Sequence, residues 1–105
     1  MDMAYLLDGF RKARNEAQDS DSKEYFDVVL SILSRMNDAV KSDRELFLPI
    51  KGNPNTHDGK FFWAWVVEEH HSLTLDKAVK ASSDNKMSCT ASLGEPPGIH
   101  IKKAA

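Results

Sequence analysis

The side chains with the most chemistry to offer are the four histidines and the acids beside them. Glu68, Glu69, His70 and His71 are contiguous, His57 is followed by Asp58, and His100 stands near the end of the chain. Neutral imidazole and carboxylate are the donors that zinc and iron sites use. The spacing argues against such a site. His70 and His71 point to opposite sides of an extended chain and are not the i, i+4 pair that shares a helix face. The sequence has no His-Glu-x-x-His pattern and no cysteine pair. A polar, solvated end to a strand accounts for the cluster, so no metal and no cofactor is expected.

Catalysis has equally little to stand on. His57 and Asp58 could pair as a base and its orienter, with Ser72 or Cys89 as nucleophile. None of them lies in a strand–turn–helix elbow. Cys89 falls in phase with Met87, Ala91 and Leu93, which reads as a small core residue, and His57-Asp58 reads most simply as a turn pair. The five glycines make no phosphate-loop or dinucleotide pattern. No catalytic residue is assigned.

The elements that would position these groups are organised around Lys60-Phe61-Phe62-Trp63-Ala64-Trp65-Val66-Val67, the most apolar run in the chain and the home of both tryptophans. Such rings bury roughly 150–250 Å² each. Length, aromatic and β-branched content and the preceding Gly59 favour a strand, with Phe61, Trp63, Trp65 and Val67 on one face and Phe62, Ala64 and Val66 on the other. A helix capped by Thr56 or Asp58 is the competing reading.

Before this run, residues 2–18 place Met3, Leu6, Leu7, Phe10, Ala13 and Ala17 on one helical stripe, with Asp2 as cap. Gly9 within it suggests a close backbone approach. After the Asp19–Ser22 turn, Asp21 and Glu24 have capping-box spacing, and a second helix runs to about Lys41 on Phe26, Val29, Leu33, Met36 and Val40. The short turn implies an antiparallel helical hairpin. Leu46, Leu48 and Ile50 then alternate as a strand that Pro49 confines to an edge or an end. Residues 51–59 are turn formers throughout. Beyond the aromatic run, Thr74 should cap a short helix in which Leu75, Ala78 and Val79 face inward and Leu73 staples onto Ala78. Met87, Cys89, Ala91 and Leu93 alternate with polar residues as a half-buried strand. Gly94–Gly98 turns the chain, and Ile99 and Ile101 mark a last strand. The expected fold is α+β, of order α-α-β-β-α-β-β. It is one domain over 1–105, with the hairpin (1–41) packed on a small, mainly antiparallel sheet that carries one short helix (45–102).

Composition narrows the function classes. A chain of 105 residues, 41% hydrophobic and 29% charged, is long enough for a core without disulfides or metal. A net charge of −2 provides no field for a phosphate backbone. Lys60 beside the aromatics is the one hint of base stacking, and Glu68-Glu69 oppose it, so nucleic acid is not expected as a partner. No apolar run approaches the roughly 18–20 residues of a membrane span. The single Cys89 and an acidic N-terminus, unlike that of a secretory signal, point to the cytoplasm. Two N-terminal helices cannot cover both faces of the aromatic run, and an uncovered apolar patch marks a partner site. The expectation is a small, non-enzymatic cytoplasmic binding protein that contacts another protein or itself. Phe62, Trp63, Trp65, His57, Asp58 and His70 are the expected contact residues. The rival is a small-ligand binder or enzyme whose aromatic pocket is lined by two or more converging histidines.

Overall fold

The structure, a computed structural model, describes residues 1–50 and 55–104. Residues 51–54 of the expected turn-rich loop lie outside the described part.

The chain opens with two antiparallel helices, α1 (Met3–Glu16) and α2 (Ser20–Lys41). The Asp2 carboxylate accepts from the Tyr5 N–H and caps α1. Gly9 is exposed, and a Cβ there would meet nothing within 4 Å, so no backbone approaches it. Asp19 caps α2 by accepting from the Ser22 N–H at 2.8 Å, and this contact holds its carboxyl below the usual range. The Asp21–Glu24 capping box is therefore not formed, and neither carboxylate is taken up by the helix N-terminus.

Among the described residues the sheet has three antiparallel strands, β1 (Leu46–Pro49), β2 (Met87–Ser92) and β3 (Gly98–Lys103), in the order β1-β3-β2. Leu48 pairs with Ile99, Leu46 and Cys89 both pair with Ile101, and Ala91 pairs with Ile99. Pro49 lies on an edge strand, where its missing N–H costs no ladder bond. One sheet face carries Leu48, Met87, Cys89, Ile99 and Ile101, all at 5% exposure or less. The other carries Phe47, Thr90, His100 and Lys102, and is solvated, as one-sided antiparallel sheets commonly are. The core lies between the inward face and the helices. Val29, Leu33 and Met36 of α2 are fully buried, as are Ala78 and Val79 of α4 (Ser72–Ser82). The Met3 N–H donates to Ser82 Oγ at 2.8 Å, which ties the start of α1 to the end of α4.

The aromatic run is helical, not a strand. A short α3 (His57–Lys60) continues directly into a π-helical segment, Phe61–Glu68. Thr56 caps it by accepting from the Gly59 N–H at 3.2 Å, and the Asp58 carboxylate accepts from the same N–H at 2.9 Å. A fully apolar run has no phase that distinguishes helix from strand. The polar cap just before it decides the matter. The wider i→i+5 turn also regroups the side chains. Phe61, Phe62 and Val66 are all at 0% exposure, whereas strand alternation would have parted Phe61 from its neighbours. Emptying a place such as that of Phe62 costs about 3–5 kcal/mol. The segment ends at Glu68 with Glu69 as its cap, and the next residue, His70, turns the backbone into the left-handed region with a φ of 59°.

The helix after it also differs from expectation. α4 starts at Ser72, two residues before Thr74, with His71 in the N-cap position, and Leu73 is 67% exposed rather than stapled onto Ala78.

Candidate functional site

The six expected contact residues do not form one surface. Phe62 is sealed in the core, with Trp63 set edge-on to it at 5.3 Å, and so offers no face to a partner. Trp63 is half-buried, and its indole Nε1 is enclosed without a hydrogen-bond partner. Trp65 is half-buried in a ring stack, 5.2 Å from Phe61 and 4.3 Å from His71, with Phe10 edge-on at 5.5 Å. Both tryptophans thus have internal ring partners. His57 and Asp58 open α3, while His70 stands exposed beyond the far end of the same helical run.

The four histidines occupy separate environments. His57 Nε2 lies 3.1 Å from Asp21 Oδ1, and its ring meets Tyr25 edge-on. His71 stacks on Trp65 and pairs through Nδ1 with Thr74 Oγ1 at 3.2 Å. His100 lies against Phe47 on the solvated sheet face. Among the depressions found on the described residues, none is lined by two histidines.

The Cys89 thiol is not poised as a nucleophile. Burial pushes the Cys89 thiol up to about 12, with the Asp76 carboxylate adding to the shift, so the thiolate that would attack is not formed near neutrality. Burial also raises the Tyr25 phenol, and Glu69 adds to it. Asp76 is occupied in holding the fold, since its Oδ1 accepts the Cys89 N–H at 2.8 Å. Ser83 Oγ accepts the Met87 N–H at 3.0 Å in the same way. Both N–H groups lie on β2, an outer strand of the sheet, and both are occupied by side chains from α4 and its C-cap.

Two places on the described residues gather groups that suit a ligand or partner. The first is a shoulder at the far end of β2. Leu73 is 67% and Leu93 61% exposed. Two adjoining depressions share Ser72 and Ala91, one reaching Leu73 and the other reaching Val67, His70 and Leu93. Alternation along the strand turns the Ala91 N–H to the same side as that of Cys89. The second is the corner of Asp21, Glu24 and His57. Sequence reasoning placed Leu73 and Leu93 in packing roles and read Asp21 and Glu24 as a cap. Neither feature has a signature in spacing, because each depends on residues far apart in the chain.

Comparison with protein-family models, curated proteins and solved structures finds no match to this chain. Among the described residues no helix is long and apolar enough to cross a membrane.

Proposed function

We propose that this chain is a non-enzymatic binding protein acting through protein–protein contact, self-association included, with the Val67–Leu73–Leu93 shoulder as its contact surface. The observation that carries the reading is the pair of leucines, each about two-thirds exposed, flanking shared depressions at the open end of an edge strand. Burying two such side chains is worth about 1.5–3 kcal/mol each, and the depressions between them share Ser72 and Ala91. The aromatic run contributes Val67 to this surface and otherwise serves as its support. A pocket enzyme would gather its histidines, and here they are dispersed. The charge balance disfavours nucleic acid as the partner, and the lone thiol suits a reducing, cytoplasmic setting.

Sedimentation velocity from micromolar to near-millimolar concentration tests the self-association form. The expected result is a concentration-dependent dimer that Leu73→Ser and Leu93→Ser abolish while leaving the melting transition nearly in place. Tyr5→Ser, which alters an equally exposed ring on α1, should leave the dimer intact. A chain that stays monomeric throughout, or a dimer indifferent to both leucines, removes this form of the proposal.

A further inference from the structure

His57, Asp21 and Glu24 present one potential ligand atom each, and these atoms all lie within 4.8 Å of one another. We propose that the three residues form a binding site for a single divalent transition-metal ion of the zinc, manganese, iron and cobalt class. This corner shares no residue with the docking shoulder and does not depend on it.

The donor set is mixed and is assembled from distant parts of the chain. Asp21 and Glu24 stand three residues apart near the start of α2, on one side of the helix. His57, 36 positions beyond Asp21, is the first residue of α3. Because Asp19 and not Asp21 caps α2, neither carboxylate is consumed by the helix N-terminus. Glu24 has no hydrogen bond or ion pair among the described residues. The imidazole is the fixed member: its side chain is only 23% exposed, the Tyr25 ring meets it edge-on at 6.3 Å, and the Thr56 cap sets the start of its helix.

Ion–ligand bonds of about 2.0–2.2 Å require donors roughly 3–3.5 Å apart. His57 Nε2 and Asp21 Oδ1, at 3.1 Å, already have that separation. Glu24 closes the remainder by rotation of a long, exposed side chain. Binding takes the imidazole tautomer with its proton on Nδ1, which leaves Nε2 to ligate. Two carboxylates and a neutral imidazole carry two negative charges, which a dication balances. One nitrogen and two oxygens suit borderline and harder dications and disfavour cuprous copper. Three protein ligands leave at least one coordination position to water, and two of them, Asp21 and His57, line a depression of about 350 Å³ with Tyr25, Lys60 and Ala64. The Lys60 ammonium beside the site works against a cation. The expected affinity is therefore micromolar rather than that of a closed structural site.

The test is calorimetric titration of the chelator-stripped full chain with zinc, paired with amide NMR during addition of manganese. One ion should bind per chain, and manganese should first broaden the amides around Asp21, Glu24 and His57. Asp21→Asn, Glu24→Gln and His57→Ala should each weaken binding by about 10–100-fold, as loss of a partner at a metal centre does. Lys60→Gln should tighten it, and His70→Ala should leave it unchanged. Should His57→Ala fail to fold, Glu24→Gln decides, because that side chain is exposed and unengaged. Non-saturable binding, affinity indifferent to Glu24→Gln, or broadening centred on His70 and His71 overturns the proposal.

Discussion

At the scale of single residues, two side chains separate structural strain from function. His70, just past the cap of the π-helical segment, has a φ of 59°, a conformation that costs an ordinary side chain about 1–2 kcal/mol. Glycine occupies it freely. His70→Gly is therefore expected to stabilise the fold by up to about 1 kcal/mol, read as a higher urea midpoint. A lower midpoint would mean that the imidazole itself makes a contact that outweighs the strain. Cys89 supplies a pH signature. Its thiol titrates at about 12 in the fold against 9.0 unperturbed. Between those values the folded chain holds a proton that the unfolded chain has lost, so stability is complete below pH 9 and falls as pH rises toward 12. The loss should be on the order of 1 kcal/mol per pH unit above 9. Denaturant melts at neutral and alkaline pH should show it in the native chain, and Cys89→Ala should remove that component.

At the scale of elements, what could be read from the sequence followed the phase of its apolar residues. α1 and α2 were legible because stripes such as Met3-Leu6-Leu7 and Val29-Leu33-Met36 admit one period only, and the structure buries those residues. Met87 and Cys89, and Ile99 and Ile101, were legible as strand faces for the same reason. The Phe61–Val67 run was not, because seven apolar residues in succession fit either period, and the deciding cap at Thr56 sits outside the run. Leu93 was misread for a local reason: β2 ends at Ser92, so the alternation that points Cys89 inward stops one residue before it. A feature no pattern foretold is the closeness of β1 and β3 at Gly98. A Cβ there would collide with the Leu48 carbonyl oxygen and come within 2.8 Å of the Phe47 ring. Gly98→Ala should push β1 outward and cost about 1–3 kcal/mol, as overfilling does. Thermal melts measure the cost. Phe47→Ala in the same chain should recover only part of it, because the backbone oxygen remains.

At the scale of the whole molecule, the candidate sites were the least legible part. The corner of Asp21, Glu24 and His57 joins the start of α2 to the start of α3, and only the packing of the two brings it together. The exposed shoulder likewise combines the end of the π-helical segment, the first turn of α4 and the end of β2. The histidines stand apart, His57 against Asp21, His71 against Trp65 and His100 against Phe47, an arrangement that only the tertiary packing sets.

The side-chain stoppers on β2 carry a further consequence. With Asp76 and Ser83 seated on the Cys89 and Met87 N–H groups, a neighbouring molecule cannot add its own strand along that part of the border. Asp76→Ala should strand the amide of Cys89, costing about 1–3 kcal/mol, and expose a template for end-on polymerisation. Under gentle warming that variant should seed thioflavin-positive fibrils at concentrations where the native chain and Asp76→Asn, which keeps an acceptor in place, stay clear. One carboxylate would then mark the boundary between a dispersed protein and an amyloid.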